Sequence, residues 1–296
     1  MRGAGDRRRA GAPSDGRGGS PGAGGTGGIG ASLDGYGGAG RGEVGREGAP
    51  RPGGLRFAAP PGAPEGVRAI YLHGAASGPW VWGDGFAARI AAAGFPGVAP
   101  PLAGRDAGLA EYAREVRALL DRPSVLVGHS LGALIAQRLL DHPMVRGAVL
   151  LAPVPPEGLF PSNARLALAD PALWAEVARM TEAGVPSPRV VRALFGARMD
   201  PRAAGRHVAR LSPQSRASLI EAQMPQPVVP GWIHGRRVLV IGAAEDRLIP
   251  PDAVRRCAAW HGVAAEFVEA GHLLMLDAGW PATAERVTRW LEGVPG

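Results

Sequence analysis

Gly128-His129-Ser130-Leu131-Gly132 sets a serine between two glycines, after the apolar run Val125-Leu126-Val127 and before an Ala/Leu-rich stretch ending at Gln137. The run reads as a buried parallel strand and the stretch as a helix. A serine at so tight a strand-to-helix turn takes strained backbone angles. Side chains two residues either side of it would collide with the strand and the helix, so glycines are needed there. The turn lifts the Ser130 hydroxyl above the sheet edge, where the helix N-terminus favours negative charge. Ser130 is the candidate nucleophile. A second match, Gly18-Gly19-Ser20-Pro21-Gly22, follows no strand and holds a proline within a low-complexity run, so it carries no such reading.

A serine hydroxyl is a poor nucleophile unless a base takes its proton, and a third group must orient that base. At a strand-turn-helix site of this type the chain order is serine, acid, histidine. Gly242-Ala243-Ala244-Glu245-Asp246 follows the strand Val238–Gly242 and leads to Pro250, which places an acid on a loop at the strand's carboxyl end. Asp246 is preferred there to Glu245 or Asp252. Gly271-His272 follows the next strand, Ala265–Glu269, and reaches the same edge, making His272 the candidate base. His129 is expected to point away from the serine as a structural neighbour. His142, His207, His234 and His261 lie outside strand ends and are expected at the surface or in the helical insertion. The oxyanion of an acyl-transfer reaction would need backbone N–H donors. Leu131, directly after the nucleophile, and Ala75, in the loop after the first core strand, are the candidates.

These groups need a scaffold that brings strand ends together. Val67–Leu72, the Ser130 strand, Ala148–Ala152, Val238–Gly242 and Ala265–Glu269 read as strands. Helical patterns separate them at Phe86–Ala93, Leu109–Leu120, Leu131–Gln137 and Thr283–Leu291. Strands alternating with helices imply an α/β protein with a mostly parallel sheet covered on both faces. Residues 154–231 break the rhythm with helical patterns (Asn163–Ala183, Pro188–Phe195, Pro213–Gln223) and many prolines, but no strand. Such an insertion is expected to cap the sheet's carboxyl edge, where open α/β folds bind ligands. The expected organisation is a core of 55–153 and 232–296 with a helical cap of 154–231.

Residues 1–54 hold close to half of the 46 glycines and almost no large apolar side chains. A segment of that composition cannot bury enough surface to offset its ordering entropy, so it is expected to be disordered. A biological start further in, for example at Val44, fits the same composition. Arg7-Arg8-Arg9 is followed by no apolar stretch of the kind a signal peptide requires. The formal charge of +7 suggests nucleic acid at first sight, yet all 33 basic residues are arginine. They are scattered rather than striped with aromatics along one face, so no nucleic-acid partner is expected. No run is long enough to span a membrane, and the single Cys257 excludes an internal disulfide. A reducing, cytoplasmic setting is the expectation.

Gly-His-Ser-Leu-Gly, Gly-x-x-Glu-Asp-Arg-x-x-Pro and Gly-His together resemble the α/β-hydrolase superfamily. The loop His73-Gly74-x-x-x-Gly78-x-Trp80-x-Trp82 is similar to that of the plant methylesterase and hydroxynitrile lyase group and its bacterial carboxylesterase relatives. The resemblance covers Val67 to the C-terminus, and little strand sequence precedes it. It implies Ser130, Asp246 and His272 as a triad, with Ala75 and Leu131 as oxyanion donors. It also implies that no metal or organic cofactor is needed. Trp80 and Trp82 either pack the loop or touch substrate. The lyases of that group carry lysine after the catalytic histidine and threonine after the early-loop histidine; here those positions are Leu273 and Gly74. The expected reaction is therefore hydrolysis of a small or medium apolar carboxylic ester through an acyl-enzyme. Thioester, C–C bond and cofactor-free haloperoxidase chemistry stay open, as does a non-catalytic ligand-binding protein of this fold.

Overall fold

The protein is described by a computed structural model that covers residues 54–63, 67–102 and 107–295. The strand before the serine, β4 (Ser124–His129), is the middle strand of a seven-stranded sheet ordered β1-β3-β2-β4-β5-β6-β7. Its neighbours are β2 (Arg68–Leu72) and β5 (Val145–Leu151), followed outward by β6 (Arg237–Ala243) and β7 (Ala265–Val268). All of these run parallel, and β3 (Gly97–Ala99) continues the parallel set beyond β2. Only β1 (Leu55–Phe57) is antiparallel, on the edge against β3. The three residues of β1 are all the strand that precedes β2 among the described residues, as the sparse sequence before Val67 implies. β3 escaped the sequence reading because it is three residues long with prolines on both sides.

The central strands are near-continuous Val, Ile, Leu and Ala runs because both faces are buried, and alternate side chains feed two cores. Tyr71, Val125, Val127, Val149, Leu151 and Ile241 face one core with Phe86 and Ile90 of α1 (Phe86–Ala92) and Val287 and Leu291 of α10 (Trp280–Leu291). Ile70, Leu72, Leu126, Leu150 and Val240 face the other. There they meet Leu109 of α2 (Leu109–Arg117), Leu134 of α3 (Leu131–Gln137) and Val254 of α9 (Pro251–Trp260). Helices thus cover both faces. The chain order reverses beside β2, with β3 on one side of it and β4 on the other. The crevice outside the carboxyl ends at such a reversal is where open α/β sheets take ligands.

Between β5 and β6 the chain is helical: α4 (Phe160–Ala169), α5 (Pro171–Ala183), α6 (Pro188–Leu194), α7 (Pro201–Val208) and α8 (Arg216–Glu221). The helix expected over Asn163–Ala183 is two helices, broken at Asp170-Pro171. Asp170 accepts the Leu173 N–H at 3.0 Å, and Pro171 begins α5 where an N–H would have no partner anyway. Ser187-Pro188 and Asp200-Pro201 open α6 and α7 in the same way. The latter helix falls outside every helical range expected from the sequence. No helix among the described residues is long and apolar enough to cross a membrane. The N-terminal segment expected to be disordered, including the possible start at Val44, lies outside the described residues except for Gly54.

Candidate active site

Ser130 occupies the turn between β4 and α3 with φ 51° and ψ −115°, a conformation that non-glycine residues rarely adopt. Its backbone N–H donates to the Leu151 carbonyl at 3.0 Å, anchoring the strained residue to β5. The glycines two positions away are sterically required. A Cβ on Gly132 would lie 2.2 Å from the Leu72 carbonyl oxygen, and one on Gly128 would lie 2.5 Å from the Ala133 Cα. Leu131 is the first residue of α3, so its N–H has no intrahelical acceptor.

The acid and the histidine arrive from β6 and β7. His272 Nδ1 stands 2.7 Å from Asp246 Oδ2, with the Asp246 side chain wholly buried. Asp246 Oδ1 accepts the N–H groups of Leu248 at 2.8 Å and Ile249 at 3.0 Å, so both carboxylate oxygens are committed. An ionised carboxylate only accepts, so His272 carries its proton on Nδ1 and keeps the Nε2 lone pair free. The two competing acids are turned elsewhere. Glu245 accepts the Ala197 N–H at 2.8 Å, and Asp252 pairs with Arg165 at 2.7 Å and Arg256 at 2.8 Å.

Two further histidines brace this arrangement. The His129 Nε2–H donates to the His272 carbonyl at 2.9 Å, and the two rings lie 4.7 Å apart. His129 therefore lines the same cavity as Ser130 instead of turning away from it. Burial, followed by the neighbouring His272, holds the His129 imidazole well below its usual pKa, so it is neutral. His73 accepts the Leu102 N–H on Nε2 at 3.3 Å, which leaves Nδ1–H to donate to the Gly74 carbonyl at 2.9 Å. Burial lowers its pKa to about 4. Ser77 Oγ–H donates to the same carbonyl at 2.8 Å, so the loop carrying Ala75 is pinned from two sides. No spacing in the sequence signals these contacts, because each partner is a backbone group.

Ser130, His272 and Ala75 share a cavity of about 500 Å³. Its outer wall comes from α4 and α5, including Leu166, Trp174, Val177 and Met180. None of its lining residues is Asp, Glu, Lys or Arg. The two tryptophans considered for substrate contact do not line it. Trp82 is fully buried against Tyr71 and Phe86, and Trp80 is stacked under the Arg210 guanidinium at 4.5 Å. Large rings in a loop beside an apolar sheet find more area to bury inward than toward the cavity. His261, expected at the surface or in the insertion, is instead buried, accepting the Gly231 N–H on Nδ1 at 3.1 Å.

A sequence profile of the alpha/beta hydrolase family matches residues 69–286, and the chain belongs to that family. No curated protein matches it. Among solved structures it is similar to a thermophilic esterase from Thermogutta terrifontis, at 16% identity and a TM-score of 0.60, over 82% of this chain and 93% of that one. It is similar to the enol-lactonase from Burkholderia xenovorans LB400, at 16% identity and a TM-score of 0.61, over 81% and 95%. It is also similar to a monoacylglycerol lipase from Paleococcus ferrophilus, at 15% identity and a TM-score of 0.57, over 80% and 97%. Identities this low establish the shared fold.

Proposed function

We propose that the protein is a serine hydrolase that cleaves uncharged carboxylic esters of small to medium apolar groups. The observation that carries this reading is the buried Asp246–His272 hydrogen bond beside a cavity that also holds the strained Ser130. In the reaction, His272 Nε2 takes the hydroxyl proton as Ser130 Oγ attacks the ester carbonyl. The N–H groups of Leu131 and Ala75 hold the resulting oxyanion. The tetrahedral intermediate collapses to an acyl-enzyme, and the departing alkoxide leaves as alcohol with the proton from His272. Water, deprotonated by His272, then attacks the acyl carbon, and the acid is released as Ser130 Oγ leaves with that proton from His272. Residues 154–231 serve as the cap that supplies the apolar wall. The similar structures include an esterase, a lipase and an enol-lactonase, names that all denote ester cleavage.

Cyanohydrin cleavage is disfavoured by two positions. Leu273 supplies no cation beside His272 to hold departing cyanide. At Gly74, a Cβ would lie 2.7 Å from His129 Nδ1 and 3.0 Å from Ser130 Cβ, so there is no room for the lyases' threonine. The test is labelling by a fluorophosphonate probe together with turnover of p-nitrophenyl butyrate. Both are expected in the wild type and absent in Ser130→Ala, with no cyanide released from mandelonitrile above the buffer rate. Wild-type protein that neither labels nor turns over would identify a non-catalytic binding protein. Enzyme-dependent cyanide release that vanishes in Ser130→Ala would identify a lyase.

A further inference from the structure

Asp277 takes no part in the steps above, yet it is a fully buried carboxylate. Such a group is costly to bury unless charge-assisted hydrogen bonds replace its water. Asp277 obtains them from the backbone. Oδ2 accepts the N–H of Gly196 at 2.7 Å and of Gly271 at 2.8 Å, and Oδ1 accepts the N–H of Ala278 at 2.7 Å. Two of these donors belong to segments far apart in sequence. Gly271 immediately precedes His272, whereas Gly196 lies just past the end of α6. One oxygen atom therefore ties the base-bearing loop to the helical segment over the cavity.

The contact around that oxygen is close. The Leu273 N–H donates to the Leu194 carbonyl at 2.9 Å, directly on the other side of His272. A Cβ on Gly271 would lie 2.5 Å from the Phe195 carbonyl carbon, so the two backbones approach within glycine distance. The backbone of residues 271–273 is thus fixed at three points: Asp277 on Gly271, His129 on the His272 carbonyl, and Leu194 on Leu273. Asp246 sets the rotation of the His272 ring. It does not set where the residue itself stands.

We propose that Asp277 is a positioning residue for the general base. It fixes the placement of His272 relative to Ser130 and makes that placement depend on the seated end of α6. The proposal rests on the serine-hydrolase reading. A misplacement of about 1 Å in a reacting group costs on the order of 10² in rate, while an apolar group bound against the α4 and α5 side of the shared cavity keeps its contacts there. A mere folding staple would lose stability without losing turnover per folded molecule.

The test compares Asp277→Ala and Asp277→Asn in the full chain, with p-nitrophenyl butyrate turnover, fluorophosphonate labelling rate and Tm measured on each. Asp277→Ala is expected to lower kcat and the labelling rate by about 10² with KM within about threefold of wild type. Asp277→Asn keeps one accepting oxygen at the same volume and is expected to recover about tenfold of that loss. A lowered Tm with kcat within about threefold of wild type would overturn the proposal, leaving Asp277 a folding staple. So would a raised KM at unchanged kcat. If Asp277→Ala does not fold, Asp277→Asn decides alone: a kcat about tenfold below wild type at unchanged KM supports the proposal, and wild-type kcat overturns it. Failure of both variants to fold also overturns it. A wild type that does not label removes the serine-hydrolase reading itself, whatever the Asp277 variants do, and the proposal with it.

Discussion

Glu245 and Asp246 are neighbours in sequence with the same charge, and the fold gives them unrelated tasks. Asp246 is sealed in with both its carboxylate oxygens engaged by His272, Leu248 and Ile249, whereas Glu245 reaches out to the Ala197 N–H. Asp246→Asn is therefore expected to fold and to lower kcat by up to about 10⁴, because the imidazole loses both its tautomer and its counter-charge. Glu245→Gln and Asp252→Asn are each expected to stay within a few-fold of wild type in p-nitrophenyl butyrate turnover. A dead Glu245→Gln or Asp252→Asn would transfer the role. At this scale the site was legible wherever a strand end announced it. Ser130 and His272 each follow an apolar run with glycine beside them. His73, Ser77 and Asp277 were not legible as supports. A bond to a backbone carbonyl, as His73 and Ser77 make to the nearby Gly74, leaves no mark in the residue pattern, and the Leu102 and Gly196 N–H groups reach His73 and Asp277 only in the folded chain. His129 misled for a related reason. Period-two alternation along β4 separates its side chain from that of Ser130, but the positive φ at Ser130 breaks the alternation one residue later.

At the scale of elements, the sheet was readable because parallel strands are apolar on both faces, and the helical segment was readable only in outline. Three of its helices, α5, α6 and α7, start at Asp-Pro or Ser-Pro pairs, which divide one continuous apolar pattern at Asp170 and open α7 where the apolar residues are few. The short strands β1 and β3 carry too few residues for any period to show. What the helical segment contributes to the candidate site is an uncharged wall of the cavity, with Leu166, Trp174, Val177 and Met180 on its outer side. An alkyl chain laid along that wall gains about 0.8 kcal/mol per methylene removed from water. In kcat/KM this amounts to about fourfold per carbon. Across p-nitrophenyl acetate, butyrate, hexanoate and octanoate, kcat/KM is expected to climb at about that slope until the cavity is filled. An ester ending in a carboxylate should fall far below its neutral counterpart of equal length, because no cation in the wall pairs with a buried anion. A flat profile from acetate to octanoate would mean that the acyl chain does not enter this cavity.

For the molecule as a whole, the net charge of +7 attracts attention in the sequence, but its buried histidines have the clearer consequence. His73 and His261 are both held neutral by burial, their pKa values lowered from 6.5 to about 4. The unfolded chain keeps the ordinary value, so above about pH 6.5 neither state binds a proton and the folded state has its full stability. As the pH falls from there toward 4, the unfolded chain takes up protons that the folded chain refuses, and stability declines. The decline is about 1.4 kcal/mol per pH unit for each histidine, or about 3 kcal/mol each over the whole window. Asp121 and Asp252 act lower. Their pKa values lie below the ordinary 3.8, so the stability they contribute is lost only under more acid conditions. Denaturant midpoints measured from pH 7.5 to 4 are expected to fall through this window. His261→Gln offers an amide in place of the two ring nitrogens that meet the Gly231 N–H and the Gln137 Oε1, and does so without a titratable group. It is expected to remove about 1.4 kcal/mol per pH unit from the slope between pH 6 and 4.5 while leaving turnover at pH 7.5 unchanged. An unchanged slope in that variant would show that His261 takes up its proton as readily in the folded protein as in the unfolded chain.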